Sequence, residues 1–416
     1  MSNATHIDAK PSAGTREAAG DRVTNPTRVA SIDIFRGLTM VVMIFVNELA
    51  GVKGLPWWNY HMPAKADFMT YVDMVFPAFL FAVGMSLPLS VTARRARGTS
   101  EWKLWQHIVA RSAALAVLGI ALANAGRGDA AQMGISRGMW GTLALLGAIL
   151  FWVVYPRDGG RRGLWIGLRL SGLALMLAMF AIYRRTHPNG DVGWLSFSYW
   201  EILGIIGWTY LAVSILYIPF SKWRWTPTVL FAALLGFNVA SAAKWVTFGD
   251  HLPLHVWPLN NGAFGLIVMA GVITSQIFLT DSFAVTFRGK AWTSTLFGTA
   301  LFLGGWALSP LGISKIRATP TWCLFSASSS VFLFLLLYWL CDARGHTKWA
   351  AFAKAPGVNT LLTYLLPDLF YFAIGTAWLP AVLGQGLPGA VWAAVFTALM
   401  LGIAALLTRW RVRMQL

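Results

Sequence analysis

The chain has 416 residues, of which 57% are hydrophobic and only 12% are charged. A soluble domain usually carries about 25% charged residues, so this composition excludes an ordinary soluble protein. The formal net charge of +17 could suggest a nucleic-acid partner. The accumulation of Lys and Arg in the cytoplasmic loops of membrane proteins explains the charge better, and we expect no nucleic acid.

The hydropathy pattern predicts an all-α fold, a polytopic transmembrane helical bundle. Residues 1–30 are polar and of mixed charge, which is typical of a disordered cytoplasmic tail. Residues 31–416 follow as one transmembrane domain, because apolar runs of about 18 or more residues recur along them. The twelve predicted spans are about Ile34–Val46, Thr70–Val91, Leu104–Ala123, Gly138–Tyr155, Leu164–Tyr183, Tyr199–Pro219, Pro227–Val246, Gly262–Leu279, Ala291–Leu308, Pro320–Cys341, Gly357–Ile374 and Gly389–Thr408.

The distribution of basic residues predicts the orientation of the bundle. Twelve spans place both termini on one side, and most of the 33 Lys and Arg residues fall in the segments on that side. The positive-inside rule then puts both termini in the cytoplasm. The loop between the first two spans, which holds His61, faces the periplasm or the exterior.

Titratable and amide groups concentrate around that first loop. An imidazole is the side chain that titrates nearest neutral pH, so His61 is a candidate general base; anchoring the aromatic loop is the alternative. Asn47 could donate a hydrogen bond to an oxyanion or to the imidazole, or cap its helix. Asp73 could orient the His61 ring, or simply place a charge at a helix N-terminus; Asp67 competes for the orienting role. Glu48, beside Asn47, could be catalytic or could face water.

Metal sites are not expected from the sequence. His251 and His255 are four residues apart, but two histidines without a third ligand in range are weak evidence for a metal. The two cysteines, Cys323 and Cys341, lie about 27 Å apart along one predicted helix, too far for a disulfide.

Two blocks of the sequence resemble a known family. The stretch SIDIFRGLTMVVMIFVN, the loop histidine and the stretch YVDMVFPAFLFAVGMSLPLS resemble the heparan-α-glucosaminide N-acetyltransferase family of membrane acyltransferases. The matching positions of this block are Asp33, Phe35, Arg36, Gly37, Asn47, His61, Asp73, Phe76, Pro77, Phe79, Phe81 and Gly84. The runs GISKIRATPTW and APGVNTLLTYLL are also similar, and they add Lys315, Trp322, Gly357, Asn359 and Tyr364. Against this pattern, the sixth and seventh spans look like a pair added to a ten-helix core.

The resemblance implies an activity and its participants. The family transfers an acetyl group from cytoplasmic acetyl-CoA to an amino sugar across the membrane, with the histidine as the catalytic residue and the Asn as its neighbour. We therefore expect an acyl-CoA-dependent acetyltransferase of the inner (cytoplasmic) membrane that acts on an amine or hydroxyl of a periplasmic sugar or glycan. His61, Asn47, Asp73 and Glu48 are its expected catalytic residues. Arg36, Lys315, Asn359 and Tyr364 are expected to bind acetyl-CoA.

Several alternatives stay open at this point. An acetyl-histidine intermediate could replace direct transfer. A homodimer would follow from the family alone. A transporter or flippase for a sugar- or lipid-linked substrate is the alternative from another functional class, and a membrane scaffold for a polysaccharide machine is a third. The acceptor itself is not determined by the sequence.

Overall fold

The computed structural model describes residues 29–156, 161–247, 261–279 and 285–416. The predicted tail and the histidines His251 and His255 lie outside these residues, apart from the last two positions of the tail. Within them the fold is helical, as predicted. Two antiparallel strands of two residues each, β1 (Arg185–Thr186) and β2 (Val192–Gly193), form the one sheet in the described ranges.

The helices follow the predicted apolar runs closely. In chain order they are α1 Ala30–Leu49, α2 Val75–Ala96, α3 Glu101–Ala125, α4 Ala130–Met133, α5 Arg137–Trp152, α6 Arg162–Ile182, α7 Glu201–Tyr217, α8 Thr226–Ala242, α9 Ala263–Leu279, α10 Phe287–Ala307, α11 Pro320–Leu337, α12 Ala351–Val358, α13 Thr360–Ile374 and α14 Gly386–Arg409. A 3-10 turn, Tyr71–Met74, leads into α2, and a π-helical turn, Tyr338–Ala343, follows α11.

Seven of these helices, counted over the described residues, are long and apolar enough to cross a membrane, and a bent pair makes an eighth. Helices α5, α8 and α9 are apolar but shorter. The molecule is therefore a polytopic helical bundle and a multi-pass membrane protein.

Glycines allow the central helices to pack backbone against backbone. A Cβ at Gly84 of α2 would lie 2.0 Å from the carbonyl oxygen of Val268, and one at Gly271 of α9 would lie 2.1 Å from that of Phe81. Such close approach at small residues is typical of helix pairs in membranes. It fixes α2 against the buried helix α9.

The predicted span Gly357–Ile374 is wrong at its start. The chain bends by 77° between α12 and α13, at Asn359, whose backbone leaves the helical region (φ −118°, ψ 45°). The Asn359 amide nitrogen donates to the Thr408 hydroxyl (3.1 Å) and to the Val412 carbonyl (2.9 Å), and its oxygen accepts from the Met414 amide (3.2 Å). These hydrogen bonds to the end of α14 and to the segment after it stabilise the break. They join residues that are far apart in the sequence, so a local hydropathy pattern could not predict them.

Candidate active site

His61 and Asp73 are in contact. The Nδ1 atom of His61 lies 2.8 Å from Oδ1 of Asp73. Asp73 is almost completely buried at 1% exposure, whereas the His61 side chain is 46% exposed. A carboxylate only accepts hydrogen bonds, so this contact selects the tautomer with the proton on Nδ1. The Nε2 atom is then left with a lone pair that can take a proton.

The same carboxylate also caps the 3-10 turn that leads into α2. Its second oxygen accepts from the backbone N–H groups of Thr70 (3.1 Å) and Met62 (3.4 Å), and Thr70 and Asp73 form a capping box. Capping boxes satisfy backbone donors that a helix N-terminus leaves unpaired. The Thr70 hydroxyl donates to the Tyr60 carbonyl (3.0 Å). The turn that carries His61 is therefore fastened to the first residues of the α2 region.

Lys315 is the third member of this group. Its ammonium lies 3.2 Å from Nδ1 and 3.3 Å from Nε2 of His61. The two distances are nearly equal. If the ammonium nitrogen lay in the plane of the imidazole, it would collide with a ring carbon, so it lies over the face of the ring. Burial lowers the pKa of Lys315 from its usual 10.5 to about 8, although the nearby Asp73 carboxylate acts in the opposite direction.

The turn that presents Lys315 is held by local and distant bonds. Ser314 and Thr319 exchange two hydrogen bonds, from the Ser314 amide to the Thr319 hydroxyl (3.0 Å) and from the Thr319 amide to the Ser314 carbonyl (3.1 Å). Behind it, the buried Trp322 indole donates to the Asp73 carbonyl (3.0 Å). Residues from the two matching sequence blocks therefore converge at one point, although 254 positions separate His61 from Lys315.

Asp67, the competitor for the role of orienting His61, binds elsewhere. Its carboxylate pairs with the Arg317 guanidinium at 2.5 Å, and both side chains are exposed. This pair is a second link between the His61 loop and the Lys315 turn. The aspartate beside the imidazole is Asp73.

Asn47 and Glu48 lie near the end of α1, and the structure shows no contact of either with His61. Asn47 is exposed, and its side chain has no hydrogen-bond partner among the described residues. The Glu48 Oε1 atom accepts from the Tyr371 hydroxyl (2.5 Å) and from the Trp392 indole (2.8 Å). Glu48 therefore joins α1 to α13 and α14, and the catalytic roles of both residues stay predictions.

A cavity of about 400 Å³ opens at the opposite end of α2. Helices α1, α2, α3, α7 and α13 and the segment Met414–Leu416 form its walls, and its polar lining includes Arg36, Arg94, His107 and Arg111. We call this end of the bundle the arginine end and the other the histidine end. The cavity reaches Phe79, which is about 9 Å from Asp73 along α2 at 1.5 Å per residue.

The cationic side chains of the cavity are held in place by its walls. Arg94 donates from Nη2 to Nε2 of His107 (2.6 Å), and the Arg111 guanidinium lies 5.1 Å from the centre of the Tyr210 ring. Arg36 donates to the Thr360 hydroxyl (3.1 Å), directly after the helix break. Converging arginines of this kind suit phosphate groups, since guanidinium binds them in a fork.

The four residues predicted to bind acetyl-CoA lie in three places. Arg36 and Tyr364 line the cavity. Lys315 lies beside His61, and the Asn359 side chain is used at the helix break. The Tyr364 hydroxyl donates to Oε1 of Glu201 (2.6 Å), and Asp368, one turn along α13, is within electrostatic range of Glu201.

Sequence reasoning missed Arg94, His107 and Arg111 as site residues. Basic residues near the ends of predicted spans are already accounted for by topology, so the sequence held no further signal for them. Glu201 could have been found, because a carboxylate at the start of an apolar run needs a partner. In the part of the chain that the structure describes, no group of three or more His, Cys, Asp or Glu side chains is placed to hold a metal.

The fold and these residues define a class of protein, a polytopic helical membrane protein with a polar site at one end and a cationic cavity at the other. The family described as "Domain of unknown function (DUF5009)" matches residues 28–238, which is half of the chain, and the chain belongs to it.

Two curated relatives connect the chain to acetyltransferases. It is 38% identical over 99 residues to heparan-alpha-glucosaminide N-acetyltransferase of Homo sapiens, covering 24% of this chain and 14% of that protein. It is 38% identical over 103 residues to the enzyme of the same name from Mus musculus, covering 25% and 15%. The matches span about a seventh of the length of these relatives. They establish the relationship to that acyltransferase family that the sequence motifs predicted.

Proposed function

We propose that this protein is a membrane acetyltransferase that moves an acetyl group from acetyl-CoA to an amine or hydroxyl of a sugar. His61 acts as the general base. The observation that carries the proposal is the Asp73–His61–Lys315 group, held at one end of α2 while an arginine-lined cavity opens at the other. The partial identity to N-acetyltransferases supports it.

The donor would bind in the cavity from the arginine end. Acetyl-CoA is a polyanion at its nucleotide end, and Arg36, Arg94 and Arg111 offer it three cations with His107 beside them. Along α2 the lining changes to apolar residues such as Phe79 and Val83. The thioester would extend along this wall toward Asp73.

The chemistry is a direct acyl transfer. The acceptor nitrogen or oxygen attacks the thioester carbonyl, and Nε2 of His61 takes the proton that it loses. The Lys315 ammonium stabilises the negative charge that develops on the carbonyl oxygen, and the Asn47 amide is a second candidate donor. The intermediate then collapses, the carbon–sulfur bond breaks, and the thiolate of CoA takes the proton back from His61.

The proposal includes a topology of twelve crossings with both termini in the cytoplasm. Besides the eight spans found by length and composition, the apolar helices α5, α8 and α9 and the 21-residue helix α10 would cross as well. The arginine end then faces the cytoplasm, where acetyl-CoA is made.

Labelling with a membrane-impermeant maleimide tests this orientation. The variant Lys65→Cys should react from outside, and Arg97→Cys should react only after permeabilisation. The reverse pattern would contradict the orientation.

The decisive experiment compares the purified wild type with His61→Ala in two assays. We expect both proteins to bind acetyl-CoA, and only the wild type to release CoA when glucosamine is added. Absence of binding at low-millimolar acetyl-CoA would refute this donor. A stoichiometric burst of CoA without acceptor would indicate an acetyl-histidine intermediate in place of direct transfer.

The broken helix α12–α13 favours a second candidate, a transporter or flippase for a sugar- or lipid-linked substrate. Discontinuous helices and ionisable residues at membrane depth are typical of transporters, and Tyr364, Glu201 and Asp368 form an interacting group on α7 and on α13, the second half of the broken pair. A transporter would depend on Glu201 or Asp368 and would tolerate His61→Ala. Uptake into proteoliposomes that contain Glu201→Gln or His61→Ala separates the two functions.

A further inference from the structure

Three aromatic side chains of the loop that carries His61 are packed against one another and yet open to solvent. Trp57, Trp58 and Phe68 are 54%, 51% and 50% exposed. The Trp57 ring meets the other two edge to face, with centroids 5.9 Å from Trp58 and 5.3 Å from Phe68. We call these three residues the aromatic platform.

Hydrogen bonds fix the turn that carries the two tryptophans. The Tyr60 hydroxyl donates to the Val52 carbonyl (2.7 Å) and accepts from the Leu55 amide (2.9 Å). The Tyr71 hydroxyl donates to Oδ1 of Asn59 (3.0 Å). A surface arranged in this way before binding loses little conformational entropy when a ligand docks.

The platform is continuous with the His61 site. Tyr60 closes the tryptophan turn, and its carbonyl accepts from Thr70, whose amide donates to Asp73. Phe68 lies between Asp67 and Thr70 on the same short loop. The platform and the imidazole therefore belong to one loop whose two halves are joined at Thr70.

The charges around the platform indicate that it faces water. Phe68 follows Asp67, which forms an exposed ion pair with Arg317, and Lys65 is also exposed. Inserting this edge into lipid would desolvate those charges, which is costly. An aromatic belt residue, by contrast, places its ring at the level of the lipid headgroups.

We propose that the aromatic platform is the acceptor site and that it binds the apolar face of a pyranose ring. The axial C–H groups of the sugar pack on Trp57 and Phe68, and the amine or hydroxyl of the ring points to Nε2 of His61. The orientation of the sugar, with its amine or hydroxyl toward His61, rests on the proposed acetyl transfer. Binding of the sugar to the platform does not depend on that reaction.

The test is equilibrium binding of glucosamine to the detergent-purified protein without acetyl-CoA, measured by ligand-observed NMR and titration. The open-chain amine 2-amino-1,3-propanediol serves as the comparison ligand, since it has an amine and hydroxyls but no ring. The variants are Trp57→Ala and Phe68→Ala. Trp306→Ala is the matched control, because Trp306 is 68% exposed and ends the helix that precedes the Lys315 turn.

We expect Trp57→Ala and Phe68→Ala each to weaken glucosamine binding about tenfold, which corresponds to the loss of one aromatic contact. Trp306→Ala should leave it unchanged, and the open-chain amine should bind weakly and equally to all variants. Retained acetyl-CoA binding shows that a variant is folded. No glucosamine binding by the wild type, or equal losses in Trp57→Ala and Trp306→Ala, would overturn the platform.

The outcomes distinguish this inference from the proposed reaction. Ring-selective binding without acceptor-dependent CoA release would keep the platform and refute the acetyl transfer. CoA release at the same glucosamine KM in wild type and Trp57→Ala would keep the transfer and refute the platform. Glucosamine binding that is equal in wild type and Trp57→Ala, together with quenching of the Trp57 indole by brominated phosphatidylglycerol after reconstitution, would make the cluster a membrane anchor, and this too would refute the platform.

Discussion

The two ends of α2 differ in how they are built. At the histidine end the functional groups stand on loops: His61, Asp67, Lys315 and Arg317 all lie outside the regular helices. At the arginine end they stand on helix walls, with Arg36 on α1, Arg94 on α2 and Arg111 on α3. Loops tolerate change in sequence better than packed helices do.

Under the proposed function, this difference would explain how a donor and an acceptor are recognised. A donor that is the same in every cell can be bound by a rigid helical cavity. An acceptor that varies between organisms is better bound by loops that can change without disturbing the bundle. Asp73, on the 3-10 turn that leads into α2, and Arg94, near the end of α2, are 21 positions apart, about 30 Å at 1.5 Å per residue. In the proposed reaction, a donor bound by its nucleotide at the arginine end would therefore extend along most of α2 to bring its thioester near His61.

The largest expected effect comes from Asp73→Asn. An amide of the same size can still cap α2, but it can donate to Nδ1 and so stabilise the wrong tautomer of His61. We expect kcat to fall by at least about 100-fold, with the Kd for acetyl-CoA unchanged because the arginines that would bind its nucleotide lie at the other end of α2. Steady-state kinetics and donor titration measure the two quantities. Asp67→Asn is the control, and an equal loss of kcat in it would contradict the assignment of Asp73.

Substitutions at the arginine end should change the Kd for acetyl-CoA and leave kcat almost unchanged. Removing the cation in Arg94→Ala or Arg111→Ala should raise the Kd for acetyl-CoA by about 10- to 100-fold, the range for a lost charge-assisted hydrogen bond. At saturating donor, kcat should be almost normal. Arg97→Ala is the matched control, since Arg97 is exposed on the loop just beyond α2. A fall in kcat with unchanged Kd would place the donor elsewhere.

The same contrast explains what the sequence could predict. The helices follow from long apolar runs, which is a local property, and most predicted ends lie within a few residues of the observed ones. Asp73 and His61 are 12 positions apart, so their contact was within reach of local reasoning. The contact between Lys315 and His61 was out of reach of local reasoning, because it joins two sequence blocks that are 254 positions apart. The bend at Asn359 depends on Thr408, Val412 and Met414, which no local pattern connects to it.

The third prediction concerns pH and the histidine end. Burial lowers the pKa of Lys315 to about 8, so the ammonium is present below pH 8 and is lost above it. If it stabilises the oxyanion, kcat should decline as pH rises through about 8. Lys315→Arg should extend the plateau to higher pH, because guanidinium stays charged. A pH–rate profile at saturating substrates measures this, and an identical alkaline limb in both proteins would contradict it.

Loss of folding would not explain such a decline. Between pH 8 and the usual lysine value of 10.5, the unfolded chain holds a proton at this site that the folded chain has released. Stability therefore rises with pH across that window as far as Lys315 is concerned. A melting temperature that is constant or rising while kcat falls would separate the two effects.

The smallest expected effect is at the exposed pair of Asp67 and Arg317, which also links the two loops of the histidine end. Such pairs contribute about 0–1 kcal/mol, so Asp67→Asn or Arg317→Gln should change kcat by no more than about twofold, and 0.5 M salt should remove the difference.

Asp67 has a positive φ of 45°, a conformation that Asn tolerates and Ala does not. Asp67→Ala should therefore lower stability by about 1 kcal/mol more than Asp67→Asn, measured by thermal unfolding in detergent. Equal stability of the two variants would show that the loop relaxes freely at Asp67, and the contacts of His61 with Asp73 and Lys315 would then hold the imidazole without the ion pair.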